Sequence, residues 1–245
     1  METASYIAIS HRAALERQMN VVSNNLANMN TTAYRGERMI FQEYLQQTQS
    51  GQGGKLSFVQ DTTTFRRDQQ GEMEHTGNPL DVAINGEGFF TVETESGPRY
   101  TRAGDFHLSP DGEIVTNNAQ PVLDTNGEPI AIPQDAESID IAADGTVRAD
   151  GDALGQLDVV TFDQPNALTR QAAELYEAGD GQQPQAAGED TAVEQGVLEG
   201  SNVEAIKEMT RMMDVMSSQQ SAARLAQQDH EMALRAIRTL VQGQG

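Results

Sequence analysis

The chain has 245 residues and a net charge of −21, from 16 Lys and Arg against 37 Asp and Glu, which argues against binding nucleic acid or an anionic membrane, since both select a basic surface. It has no cysteine, and this excludes thiolate zinc sites, cysteine nucleophiles and disulfides. No apolar run approaches the roughly 20 residues that span a bilayer, so no membrane insertion is expected, and the opening METASYIAISHRAALERQ lacks the basic and apolar regions of a cleavable export signal.

Residues 1–35 predict a helix. No glycine or proline precedes Gly36, and Ala8, Leu15, Val22 and Met29 recur every seven residues with Met19 and Leu26 between them, as a heptad seam. The predicted helix runs into the polar stretch Ser23 to Arg35, which contains Asn24, Asn25, Asn28 and Asn30. Asparagine is a poor helix former, so this stretch marks a helix end, a turn, or amides that bond neighbouring backbones in a crowded assembly. Residues 36–75 read as an extended linker or arm that includes Leu56-Ser57-Phe58-Val59. Residues 76–198 read as an antiparallel all-β domain. Its turns are marked by Asn85-Gly86, Asp111-Gly112, Asn126-Gly127, Asp144-Gly145, Asp150-Gly151 and Asp180-Gly181, pairs that tolerate positive φ. Strands are expected at Leu80–Ile84, Gly88–Glu93, Pro129–Ile132, Ser138–Ile141 and Leu157–Phe162, and a loop or poorly ordered insert at 179–190, which lacks large apolar residues to anchor it. Residues 199–245 predict a second helix, with Ile206, Met209, Met213, Met216, Ala223, Leu234, Ile237 and Val241 in one heptad frame interrupted by Gln220, Gln227 and His230. The expected fold class is α+β: long N- and C-terminal helices pairing as a coiled coil, with a central antiparallel all-β domain.

Charge follows the same division. Residues 1–50 and 201–245 are each neutral, and residues 51–200 carry 28 acidic against 7 basic groups, 19 of the 22 glycines and all 8 prolines. Neutral ends suit close packing of like subunits, and an acid-rich middle suits a solvent-facing layer.

The chemistry-bearing residues form no catalytic pattern. His11, His75, His107 and His230 lack the spacing of a zinc helix, and no nucleophile elbow, phosphate loop or dinucleotide fingerprint occurs. Asp124 to Gly127 and Asp144 to Asp152 offer oxygen ligands, but without the spacing of a calcium loop, and turn chemistry accounts for the same residues. Neither a catalytic, cofactor-binding or metal residue nor a cofactor is expected. A calcium-dependent β adhesin and a cell-wall hydrolase using paired carboxylates are the alternatives, and neither explains two charge-balanced heptad helices bracketing the chain.

The stretch Asn24-Asn25-Leu26-Ala27-Asn28, with Thr31 and Tyr34-Arg35, closely resembles the N-terminal signature of the flagellar axial proteins of the rod and hook. Thr76 to Phe90, Arg99 to Phe106, and Leu198 to Val203 followed by Glu208-Met209 resemble further blocks of that family, in the same order along nearly the whole chain. The likeness is greatest to its proximal-rod members, with the distal-rod members as near neighbours. The resemblance implies a structural, non-enzymatic subunit of the bacterial flagellar basal-body rod, a hollow helical shaft that transmits torque. It implies export through the flagellar type III apparatus without signal cleavage and assembly in the periplasm beside other axial proteins and copies of itself. It also implies terminal helices forming an inner layer and the β domain an outer one. The expected assembly interface is Leu15, Met19, Val22, Asn24, Asn25, Leu26, Asn28, Met29, Thr31 and Tyr34 on the N-terminal side, and Ile206, Met209, Met213, Met216, Leu234 and Ile237 on the C-terminal side. Ala33 stands where the family usually has glycine, which puts a positive-φ turn there in question, and Ser217 to Arg224 replaces the usual tyrosine- and asparagine-rich C-terminal stretch.

Overall fold

The computed structural model describes residues 2–47, 55–171, 174–179, 181–188 and 190–242. The chain divides into two units, Met1–Ala27 with Glu37–Phe65 and Glu204–Gly245, and Asn28–Gly36 with Arg66–Val203. The first contains α1 (Glu2–Ala27), β1 (Glu37–Gln47), α2 (Ala205–Gln242) and nearly all of β2 (Lys55–Arg66), with β1 and β2 as a two-stranded sheet. Residues 36–75, read from sequence as an arm, thus carry paired strands; Leu56 to Val59 lies in β2, and its side chains fall outside the described residues.

Helix α1 buries Ala14, Leu15, Val22 and Asn25. Asn25 is the residue that converts helix into strand. Its Nδ2 donates to the Glu37 carbonyl at 2.8 Å, and its Oδ1 accepts from the Glu37 amide at 2.9 Å. An asparagine amide presents the same donor and acceptor as a peptide unit, so the side chain behaves as a short partner strand for the start of β1.

Helix α2 touches α1, but the expected coiled-coil pairing is not supported, because the predicted frame faces the wrong way. Ile206 is 82% exposed, Met213 63%, Met209 and Met216 47% each, and Leu234 43%. The line turned inward lies one residue earlier. Ala205, Met212, Gln219 and Ala222 are half-buried, and Glu208 and Val215 are buried. Both lines have the alternating three- and four-residue spacing of a heptad, and a shift of one residue rotates the face by about 100°. Ile237 and Val241 lie in α2, but their side chains are outside the described residues.

The second unit is β-rich. Its strands are β3 (Met73–His75), β4 (Val82–Asn85), β5 (Phe89–Val92), β6 (Arg99–Thr101), β7 (His107–Leu108), β8 (Ile114–Val115), β9 (Ile139–Ile141), β10 (Thr146–Ala149), β11 (Asp152–Gln156), β12 (Val159–Thr161), β13 (Thr169–Arg170), β14 (Leu175–Glu177), β15 (Gln185–Ala186), β16 (Ala192–Gln195) and β17 (Val197–Glu199). A six-stranded sheet runs β13-β14-β6-β5-β12-β15, a three-stranded one β11-β10-β9, and β4, β3 and β7 pair with β16, β17 and β8. These pairings are antiparallel, as expected.

Alternation along β5 divides the core. Phe90 and Val92 enter an aliphatic cluster with Val82, Ile84, Ile114 and Val122, while Phe89 joins Tyr100, Phe162 and Tyr176. The second group is held edge to face, with ring centroids 5.5 Å apart for Phe89 and Tyr176 and 4.8 Å for Tyr100 and Phe162.

Turn signals are accurate where two residues join two strands. Asp150 and Gly151, between β10 and β11, have φ of 51° and 93°, the positive pair that matches the twist of a tight hairpin. The strand expected at Pro129–Ile132 forms isolated bridges from Pro129 to Leu123 and Ala131 to Glu113, with the Ile130 amide donating to the Val122 carbonyl at 3.3 Å and the Ile132 amide to the Gly112 carbonyl at 2.8 Å, while Pro129 and Pro133 have no amide proton to extend the ladder. The loop expected at 179–190 instead supplies β15, fixed by backbone pairing of Ala186 with Val160 and not by large side chains.

Candidate assembly site

Two features are built from residues that sequence patterns single out. The first is a knot in the β-rich unit, where residues 31–36, 66–72 and 199–203 cross. The Ala33 amide donates to the Glu199 carbonyl at 2.7 Å, the Asn202 amide to the Tyr34 carbonyl at 3.1 Å, and the Arg67 amide to the Gly36 carbonyl at 2.9 Å. Asn202 ties its own segment to both of the others: its Oδ1 accepts from the Gly36 amide at 2.8 Å, and its Nδ2 donates to the carbonyls of Arg67 at 3.0 Å and Gln69 at 2.7 Å. The backbones close tightly enough that a Cβ on Gly71 would sit 1.9 Å from the Gly200 carbonyl oxygen, so only glycine fits there.

A charged network lies inside this knot. Glu199, 2% exposed, accepts from Arg102 Nε at 2.7 Å and from the Gly71 amide at 3.2 Å, and its carboxylate lies 3.7 Å from Arg35 Nη2. Arg102, also 2% exposed, donates three further hydrogen bonds, to the carbonyls of Gly88 at 2.6 Å and of Ile84 and Gly86 at 3.0 Å each. Burial lowers the pKa of Arg35, and Arg102 adds to this, while Glu199, Tyr176 and Asp68 oppose it. Arg170 completes the knot by stacking on Tyr34, 4.5 Å from the ring centroid, and donating to the Arg35 carbonyl at 2.7 Å. Each carboxylate and guanidinium is directed at a backbone or an opposite charge, an arrangement that fixes chain crossings.

The second feature is the outward line of α2, comprising Ile206, Met209, Met213 and Met216, all exposed. A surface line of four large apolar side chains at heptad spacing has the pattern of a helix-packing face.

The remaining expected residues fall on both sides of the surface. Leu15, Val22, Asn25 and Tyr34 are buried; Met19, Leu26, Asn28, Met29 and Thr31 are half-buried; Asn24 is exposed. Thr31 bonds back to Asn28, hydroxyl to Oδ1 at 3.2 Å and amide to carbonyl at 3.2 Å, which closes the turn after α1. Ala33 has φ of 53°, so the left-handed turn put in question by the missing glycine is made with alanine. Sequence reasoning missed Arg102, Arg170, Glu199 and Asn202. Arg102 lies in the family-like block at 99–106 and Glu199 and Asn202 in that at 198–203, whereas Arg170 lies in neither and carries no signal in the sequence.

Among the aspartates with calcium-ligand chemistry, Asp124 and Asp144 bond within their own turns, and Asp150 ties its turn to the chain at 137–138. Asp124 accepts from the amides of Asn126 at 2.8 Å and Glu128 at 2.9 Å, Asp144 from that of Thr146 at 2.9 Å, and Asp150 from those of Ser138 at 2.9 Å and Glu137 at 3.1 Å. These backbone bonds hold all three carboxyls below their ordinary pKa. Among the described residues no group of three or more His, Asp or Glu side chains could hold a metal ion.

Three family descriptions match separate parts of the chain: "Flagella basal body rod protein" at residues 6–35, "Flagellar hook protein FlgE/F/G D1 domain" at 83–149, and "Flagellar basal body rod FlgEFG protein C-terminal" at 194–239. The chain is 33% identical to the flagellar basal-body rod protein FlgF of Caulobacter vibrioides and 32% identical to that of Rhizobium meliloti, in each case over 98% of both chains. It is 32% identical to the flagellar basal-body rod protein FlgG of Bacillus subtilis over 90% of this chain and 92% of that one. Each matched segment contributes one member of the buried network: Arg35 from the first, Arg102 from the second and Glu199 from the third.

Proposed function

The chain belongs to the family of flagellar basal-body rod proteins and is a structural subunit of the rod, most like FlgF, and from that premise we propose how it joins its neighbours. The outward line of Ile206, Met209, Met213 and Met216 packs against helices of adjoining axial subunits, copies of this chain among them. The single observation that carries this reading is its exposure, from 47% to 82%, on a helix whose inward line is already occupied. A contact between unlike faces that does not close into a ring generates an open helical filament, and a shaft under torque needs many such repeated contacts.

The N-terminal residues divide between two tasks. Leu15, Val22, Asn25 and Tyr34 hold the subunit together, whereas Asn24 is presented outward with the α2 line. The neutral helices form the inner layer, and the part that carries 28 acidic against 7 basic groups forms the outer one. The subunit reaches the periplasm through the flagellar export apparatus with its N-terminus uncleaved. Met213→Asp tests the contact: it places a charge at a 63% exposed position, so the isolated variant keeps its circular dichroism and melting curve while its strain stops swimming. Retained swimming contradicts the proposed surface.

A further inference from the structure

Sulfur in this chain is confined to methionine, 10 residues with no cysteine, and half of them lie on α2 as Met209, Met212, Met213, Met216 and Met232. Three stand in one row at i, i+4 and i+7 on the outward line, Met209, Met213 and Met216, at 47%, 63% and 47% exposure. Met212, adjacent to Met213 in sequence, is half-buried on the inward line, and Met232 is 60% exposed but stands off the outward row. Met19, Met29, Met39 and Met73 are half-buried.

We propose that Met209, Met213 and Met216 form an oxidation-sensitive modification site, at which peroxide or hypochlorous acid switches the subunit from assembly-competent to assembly-blocked. With peroxide a thioether lone pair attacks an oxygen, so that an S–O bond forms and the O–O bond breaks; with hypochlorous acid it attacks chlorine, the O–Cl bond breaks, and water displaces chloride from the chlorosulfonium to form the S–O bond. Sulfur loses two electrons and becomes the sulfoxide. Hydrogen peroxide leaves as water, and hypochlorous acid as chloride and a proton. The product is polar and chiral where the thioether was flexible and apolar. Three sulfoxides in one row therefore remove the apolar face between Ile206 and Ala223 without disturbing the inward line. Packing against a neighbouring helix buries the same sulfurs, so sensitivity belongs to the subunit before incorporation. The lesion is reversible by the pair of methionine sulfoxide reductases that act on the two sulfoxide epimers.

This inference rests on the reading of the α2 line as an assembly surface, and the test separates the two. Full-length protein is titrated with hydrogen peroxide and each methionine is followed by peptide mass spectrometry. Met209, Met213, Met216 and Met232 convert several-fold faster than Met212, and both reductases together restore the thioethers. Equal rates at Met212 and Met213 overturn the site. In cells, the triple variant Met209→Leu, Met213→Leu, Met216→Leu assembles and keeps assembling through a peroxide pulse that halts new basal bodies in the parent strain, whereas Met232→Leu gives no protection. A triple-leucine strain that assembles but is as sensitive as the parent overturns the oxidation proposal alone. The triple variant to glutamine, a polar isostere, fails to assemble without any oxidant; if it swims normally, the assembly surface itself is refuted and the proposal with it.

Discussion

Replacing Glu199 by alanine is the most informative perturbation of the knot. The substitution leaves Arg102 and Arg35, 2% and 6% exposed, facing each other without the carboxylate that lay 2.7 Å from one and 3.7 Å from the other, and it strips the Gly71 amide of its acceptor. Removing one partner of a buried ion pair costs about 3–5 kcal/mol, because the remaining charge stays buried and uncompensated. That is a large share of the roughly 5–15 kcal/mol by which a domain is stable. With a urea dependence of about 2 kcal/mol per molar, the unfolding midpoint falls by roughly 1.5–2.5 M. The chain has no tryptophan, so fluorescence reports its tyrosines, of which Tyr34, Tyr100 and Tyr176 lie in the β-rich unit. Glu199→Gln keeps an acceptor of the same size and falls between the variant and the parent. The comparison variant is Arg12→Ala, whose pair with Glu16 has side chains 79% and 58% exposed and whose loss costs about 0.5 kcal/mol or less. A midpoint shift for Glu199→Ala no larger than that for Arg12→Ala would refute the claim that the network ties the crossings together.

Backbone strain at Ala33, with φ of 53°, makes Ala33→Gly stabilising by up to about 1 kcal/mol and Ala33→Val destabilising by about 2 kcal/mol or more, read from melting temperature. The carboxyls of Asp124, Asp144 and Asp150 are held below their ordinary pKa by backbone N–H bonds. Their stabilisation is complete above the usual carboxylate value of about 4 and is lost as pH falls through the lower folded values; Asp150→Asn flattens that acid limb of the melting profile. Asp158 has the opposite sign. Burial raises its pKa and nearby Asp124 adds to this, so its ionisation costs stability as pH climbs from the ordinary value through the raised one. Asp158→Asn therefore raises the melting temperature at pH 7 and leaves it unchanged at pH 3.

Local signals were the legible ones. Asp150 and Gly151 announce a two-residue hairpin because positive φ at both positions is a property of those residue types, and the split of Phe89 from Phe90 follows from strand alternation. The helices were equally plain from their periodicity, but the direction of α2 was not. Its inward line, Ala205, Glu208, Met212, Val215, Gln219 and Ala222, is less apolar than the outward line beside it. A rule that turns the most apolar face inward therefore selects the outward line, Ile206, Met209, Met213 and Met216, in place of the line that is turned inward. The knot was illegible for a different reason. Arg35, Arg102 and Glu199 are far apart in sequence, and only the crossing of their backbones brings them within 3.7 Å. Asn25 lay between these extremes: an amide bonding to a neighbouring backbone was foreseen, but that backbone is the chain's own Glu37 and not another subunit's.

The absence of cysteine makes the central claim open to one direct measurement. A single thiol introduced by Met213→Cys on the outward line is labelled with a maleimide in the purified subunit and again in isolated basal bodies, beside a control thiol from Asp152→Cys on exposed β11. If the outward line of α2 is where subunits meet, labelling at 213 is rapid in the free subunit and suppressed in the assembled rod, while labelling at 152 stays rapid in the free subunit. Equal labelling at 213 in the free and assembled states would contradict it.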